Sequence, residues 1–310
     1  MTRSASWLWY GALLAVGAAL YVTSARFPAH LPVFLPWEFH WPEFLTLALT
    51  LAWFARGLKR VATPPPLWRQ ICFVAGVISF YVVLQTRVDY YAQHMFFVHR
   101  WAHFILHHAG AFAIAMGMSG PTVYAGMPDF LKPVVNSKPV RAVVDFLQHP
   151  VIAPLLFVGL LYFWLIPSIH TYVMLDAPLY ELMNWSMAIN GVMFWSLILD
   201  CRPKPPARLS SLVRAFLILV IELPQMVLGA ILSLSMTDYY PVYTICGRVL
   251  AMTALNDQQY GGLIIWLPGT LTSFAAMITV LVNMRLNEER AATAAGGQND
   301  PVDRFERRAP

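Results

Sequence analysis

The chain has 310 residues, 58% apolar and only 12% charged, about half the ~25% typical of a soluble globular protein, and its mean hydropathy is +0.56. These figures exclude a disordered chain, and the long apolar blocks, with no ~10-residue alternating segments, exclude a β-barrel. The net charge of +5 bears on partners only once the positive residues have been located.

The first apolar block, about 7–23, follows Arg3 and precedes the small residues Ser24 and Ala25, as a secretory leader would. Its run is longer than a leader's apolar core and rich in Trp and Tyr, so it reads as a span. The second, 41–57, is the weakest, because Glu43 and Arg56 sit at its edges. Next come 70–86, 94–118, 151–169, 178–199, 212–236 and 260–284, each long enough to cross ~30 Å of hydrocarbon at about 1.5 Å per residue. The 119–150 connection leaves room for a short interfacial helix. The fold expected is all-α: a polytopic transmembrane helix bundle of about eight spans, or seven without the weakest. Residues 1–286 form one domain, and 287–310 read as a disordered cytoplasmic tail.

Positive residues assign the two faces. One set of loops and ends holds 17 of the 21 Lys and Arg, and the opposite loops hold Arg26, Arg87 and Arg248, with Arg100 inside a span. The positive-inside rule then places both termini in the cytoplasm. The basic excess reports topology and anionic lipid, and calls for no nucleic-acid partner. Cys72, Cys201 and Cys246 are scattered, with no C-x-x-C among them. That removes a thioredoxin-like motif and a disulfide framework.

Polar chemistry enters the membrane mainly in the fourth block. Between Asp89 and Gly110 lie five of the nine histidines: His94, His99, His103, His107 and His108. Residues four apart share a helical face, so His99, His103 and His107 form a stripe. His108 is expected to point away from its centre and His94 to sit at the interface. Intramembrane ionisable groups are functional candidates, and imidazole ligates copper, zinc and haem iron. The alternative is hydrogen bonding across helices. Haem would need a second axial ligand from another helix, and His170 is the one other histidine within a span. Zinc hydrolysis lacks its H-E-x-x-H. Met95, Met174, Met183, Met187, Met226 and Met236 offer soft sulfur, although membrane helices also use Met as packing filler. Span seven carries E-L-P-Q-M, where Glu222 and Gln225 stand ready to satisfy groups freed by Pro224. Before span eight, Asp257 is placed to cap its own helix, with Gln258 and Gln259 following. Gly261 and Gly262 permit close helix contact.

Three of these motifs together resemble the cytochrome c oxidase assembly factor CtaG family, an integral-membrane group associated with caa-type oxidases. The first is Asp89 followed by His99-x-x-x-His103. The second is His149-Pro150 with a W-x-x-P turn at Trp164–Pro167. The third is Q-M-x-L-G-A from Gln225 to Ala230, leading through Tyr240-Pro241 to D-Q-Q-x-G-G-L-I-x-W-x-P-G at Asp257–Gly269. The likeness covers about residues 40–285. Two departures stand out. The family usually has W-H-x-P where this chain has Trp164-Leu165-Ile166-Pro167, and an H-x-x-x-H pair where it has Tyr180 and Asn184.

The resemblance implies a non-enzymatic, multi-pass protein of the bacterial inner membrane. Its partners would be cytochrome c oxidase subunits and membrane lipid, with copper handled for the oxidase at the outer face. His99 and His103 are the expected core ligands. His107, His94 or a Met or His of span five or six would complete the set, His170 and Met183 among them. Asp89, Asp257, Gln258, Gln259, Gln225 and Met226 would orient ligands or hold loops. A copper transporter, a metal-free scaffold for oxidase subunits and a haem-binding redox protein are the other readings.

Overall fold

The computed structural model describes residues 3–27 and 30–297, and every regular element among them is helical. In chain order these are α1 (Arg3–Arg26), α2 (Trp41–Leu58), α3 (Leu67–Gln85), α4 (Arg87–His94), α5 (Phe96–Phe104), a π-helical turn (Ile105–Ala109) and α6 (Gly110–Gly117). Then follow α7 (Gly120–Gly126), α8 (Lys132–Val135), α9 (Lys138–Leu147), α10 (Ile152–Leu165), α11 (Pro167–Met174) and α12 (Ala177–Ile198). The chain ends through α13 (Ser211–Leu234), α14 (Val242–Cys246) and α15 (Ala254–Gly297).

Each of the eight predicted blocks falls on helix, but the segments differ in kind. Four are long and apolar enough to cross a membrane: Leu8–Arg26, Leu67–Gln85, Ser211–Leu234 and Ala254–Thr293. A fifth arises if α9 and α10, bent by 72° at their junction, act as one. Length and composition therefore support four spans rather than the eight expected. The reasons are local. Helix α2 includes Glu43 and Arg56, and α12 carries Glu181, Asn184 and Asn190. The fourth block breaks at Met95, where the backbone is extended, and the fifth at Ile166 before Pro167. Helix α15 runs on through Asn287 to Gly297, within the stretch expected to be a disordered tail. The rest of that stretch, 298–310, lies outside the described residues.

The 119–150 connection holds the short helices α7, α8 and α9. On α9 no residue is buried, and Val140, Val143 and Phe146 are exposed beside Lys138 and Arg141. That is the composition of an interfacial helix.

Helix α5 and its π-turn occupy the middle of the bundle, with α12, α3 and α15 packed against them. The longest helix pair, α13 with α15, closes one side. Gly262 allows it, as expected: a Cβ there would come within 2.6 Å of the Ser233 backbone nitrogen. Apolar side chains project outward from α13 and α15, including Leu223, Leu234, Leu271 and Phe274. For helices of this length, that is a lipid-facing surface.

Two breaks create the local geometry that matters. At Met95 the helix restarts, and its first N–H groups need acceptors. Asp257 of α15 supplies them, Oδ2 accepting from Phe96 N at 3.0 Å and Oδ1 from Phe97 N at 2.8 Å. Asp257 thus caps α5 rather than its own helix, whose first turn is capped by Thr253 Oγ1 accepting from Asn256 N at 3.1 Å. At Ile166 the carbonyls released by the break are taken up by side chains. Tyr240 Oη donates to the Leu165 carbonyl at 2.8 Å, and His170 Nδ1 to the Trp164 carbonyl at 2.9 Å.

A buried imidazole ladder as candidate functional site

His99, His103, His107 and His108 are all buried, none more than 6% exposed. The α-helical part of the stripe behaves as the i, i+4 spacing requires. His99 Nε2 lies 3.1 Å from His103 Nε2, and His103 Nε2 lies 3.0 Å from Asn184 Oδ1 on α12. With Asn184 in this amide orientation, His103 Nε2–H donates to the Asn oxygen and the His99 lone pair faces the same proton. His103 Nε2 thus has one imidazole nitrogen and one amide oxygen within 3.1 Å.

The π-turn alters the lower part of the stripe. Its wider turn changes the angular spacing, so His107 and His108 both face the interior, their rings 5.3 Å apart. His108 was expected to point away from the stripe, an expectation that assumed an unbroken α-helix. His107 Nδ1 sits 3.3 Å from Met187 Sδ, and the His107 carbonyl accepts from Trp195 Nε1 at 3.0 Å. Among the described residues, His107 Nε2 has no hydrogen-bond partner. Below the first imidazole pair there is thus a second pair, one imidazole and one thioether.

The remaining predicted residues separate into groups. His94 stands on α4, before the Met95 break, and its Nδ1 donates to the Tyr90 carbonyl at 2.8 Å. His170 lies beside His99, ring centroids 5.2 Å apart, but both its nitrogens are engaged, Nδ1 by Trp164 O and Nε2 by Tyr243 Oη at 2.9 Å. A haem bridging His103 and His170 does not suit this arrangement, because His99 packs between the ladder and His170. Gln258 ties down the 235–240 turn, accepting from Tyr239 N at 2.7 Å and donating to Thr237 O at 2.9 Å. Gln259 donates to Ser235 O at 3.1 Å. The two glutamines are structural. Gln225 donates to Ile221 O at 3.1 Å and lines a small cavity with His103, His107 and His108. Met226 is half-buried on α13 and does not line that cavity. Glu222 accepts from Thr270, and Tyr162 Oη bonds the Pro224 carbonyl at 2.7 Å.

Tyr180 and Asn184, the two departures from the expected H-x-x-x-H, both face the upper pair. Asn184 bonds His103, and the Tyr180 ring packs edge-on 5.8 Å from His99. Tyr180 Oη donates to Asp89 Oδ1 at 2.8 Å, and Gln93 Nε2 donates to Asp89 Oδ2 at 2.9 Å. These residues border a cavity of about 210 Å³ lined by Glu38, Glu43, Asp89, Tyr180, Glu181 and Asn184. His40 Nδ1 reaches Glu181 at 3.0 Å across it. Among the described residues, no three His, Cys, Asp or Glu side chains form a metal-holding group. The ladder's third donor at the upper pair is the Asn184 amide.

Asp89, on α4 outside the candidate spans, has a carboxyl pushed up to about 6 by burial, against the lowering effect of its Tyr180 and Gln93 donors. The folded state therefore holds a proton that an unfolded Asp with pKa 3.8 releases. The stability contributed by Asp89 should fall as pH rises from about 4 to about 6, by up to roughly 1.4 kcal/mol per unit, and change no further above that. Asp89→Asn should remove this slope. Melting temperature followed from pH 4 to 7 checks it, and parallel curves for the two proteins would refute it.

Asn184 and His108 carry much of this geometry and Arg100 lines the same small cavity, yet the sequence marks all three weakly. Arg100 was visible as an arginine inside an apolar block. Asn184 was visible only through the family pattern, and His108 depended on the π-turn.

The fold and site define an integral-membrane helical protein with a buried ladder of nitrogen and sulfur donors beside a carboxylate-lined cavity. The chain belongs to the cytochrome c oxidase caa3 assembly factor family (Caa3_CtaG), whose model matches residues 49–286. No curated protein and no solved structure matches it.

Proposed function

We propose that this member of the oxidase assembly family holds copper as cargo on its way into the oxidase, acting by binding rather than by catalysis. The observation that carries the reading is the closeness of His103 Nε2 to both His99 Nε2, at 3.1 Å, and Asn184 Oδ1, at 3.0 Å. Imidazole nitrogen suits copper, and the His107–Met187 pair one step along adds a thioether that favours Cu(I). The carboxylate-lined cavity next to Tyr180 and Asn184 concentrates cations at the upper pair.

The proposed topology adds the shorter α2, α5–α6, α10–α11 and α12 to the four long helices as crossings, eight in all, with both termini cytoplasmic and the cavity open to the outer face of a bacterial inner membrane. The 17:3 division of Lys and Arg between the two sets of loops supports it. Reporter fusions should be active from the 237–253 loop when the reporter requires export, and inactive from the α8–α9 region. The reverse pattern would overturn the orientation.

Metal analysis tests the copper reading. Wild-type protein purified from copper-supplemented membranes should carry copper, and the His99→Ala/His103→Ala double variant should carry none while remaining in the membrane. Oxidase copper content should fall with it. A metal-free scaffold for oxidase subunits is the second reading, favoured by the replacement of two expected histidines by Tyr180 and Asn184. Equal copper in both proteins, with oxidase assembly intact, would leave the scaffold.

A further inference from the structure

Helix α9 stands at 72° to α10, the helix it precedes. With α10 upright in the bilayer, α9 runs close to the membrane plane. At about 3.6 residues per turn its side chains separate into two arcs. Val140, Val143, Phe146 and Leu147 fall on one, and Lys138, Arg141 and Asp145 on the other. No residue of α9 is buried, and Val143 and Phe146 are 58% and 57% exposed. The apolar exposure carries on past the helix through Val151 to Leu155 on α10, each 64% exposed. The apolar face of α9 thus continues in the chain into the outward face of a membrane helix.

The polar arc is cationic in net effect. Its one acid, Asp145, is bridged to Arg208 in the loop before α13. Among the described residues, neither Lys138 nor Arg141 pairs with a carboxylate, and Arg141 Nη2 donates to the Asn136 side-chain oxygen at 3.2 Å. An occupant of this face must offer hydrocarbon and negative charge side by side, at the level where a spanning helix leaves the bilayer. An anionic phospholipid offers both, acyl chain to Val143 and Phe146 and phosphate to Lys138 and Arg141. A crossing by α9 would instead carry Lys138, Arg141 and Asp145 into hydrocarbon.

We propose that α9 is a binding surface for anionic phospholipid, lying in the headgroup layer and anchoring the adjoining end of α10. Helix α10 packs Phe157 edge-on against the His107 ring, centroids 3.8 Å apart, so the anchored helix borders the ladder. The proposal needs no metal and holds for either orientation of the chain, so it stands or falls apart from the copper reading.

Hydrogen–deuterium exchange of the full chain in nanodiscs tests it, read on peptides covering 138–147, with peptides of α13 and α15 reporting on the fold. Exchange across α9 should be slower in discs containing phosphatidylglycerol than in discs of phosphatidylcholine alone. A cation near an anionic surface gives about a fivefold bias, so two should give a difference of about 10- to 30-fold. Lys138→Gln/Arg141→Gln should lose most of that difference, and Val143→Asp should exchange fast in both lipids. If α13 and α15 show a variant to be unfolded, the wild-type comparison decides alone. Equal exchange of wild-type α9 in the two lipids would overturn the proposal. So would a folded double variant that keeps the full difference. Protection confined to discs holding two copies of the chain would assign the face to a second copy, and would overturn it too.

Discussion

Asp257→Ala should be among the most destabilising single substitutions in the chain. Asp257 is fully buried and accepts from Phe96 N, Phe97 N and Arg248 Nε, the last at 3.1 Å. Alanine removes the cap of α5, worth about 1 kcal/mol. It also leaves the mostly buried Arg248 without its counter-charge, although Thr244 Oγ1 still accepts from it, and breaking one side of a buried pair costs about 3–5 kcal/mol. Domains are stable by only about 5–15 kcal/mol in total, so most of the margin is at stake. Asp257→Asn keeps an acceptor for one N–H and should recover part of the loss. Thermal unfolding in detergent measures both. An Asp257→Ala protein that melts with the wild type would show that α5 does not depend on this cap.

Gly191→Ala should act on the ladder from the opposite side. A Cβ at Gly191 would lie 2.7 Å from the His107 carbonyl oxygen and 2.9 Å from its Cα. Both are backbone atoms that cannot turn aside, so α12 must retreat from the π-turn. Overpacking of this kind costs about 1–3 kcal/mol. The retreat also strains the Trp195 Nε1 bond to His107 O, whose net worth is about 1 kcal/mol. Gly159→Ala is the matched control, because nothing lies within 4 Å of a Cβ there. It should be neutral or slightly stabilising, as alanine favours helix. The Gly191 variant should also separate His107 from Met187 and lower any copper bound at that pair. Equal melting temperatures for the two alanine variants would contradict the close packing of α12 on the π-turn.

Much of this was legible in the chain before any coordinates. The apolar blocks marked the helices because burying or lipid-exposing some twenty apolar residues in succession leaves few other structures. The His99–His103 contact followed from helical spacing alone, a local property of the backbone. Asp89, Gln225 and Asp257 stood out as polar groups within or beside apolar blocks, and all three are buried with specific partners. The span count was less secure, since hydropathy does not show where a helix breaks. Met95 carries no glycine or proline to announce its extended backbone, and that break is stabilised by Asp257, more than 150 residues away in the chain.

The sequence by itself determined the helical membrane character, the family and the pairing of His99 with His103, because composition and i, i+4 spacing act through local backbone geometry. The tertiary structure decided which groups complete the site. It brought Asn184 to His103, Met187 to His107 and Tyr180 to Asp89, contacts about 80 to 90 residues apart that no local periodicity encodes. It also turned His108 inward through the π-turn and left Arg100 without an acceptor among the described residues. Both outcomes depend on how neighbouring helices pack around α5, and packing is a property of the assembled bundle.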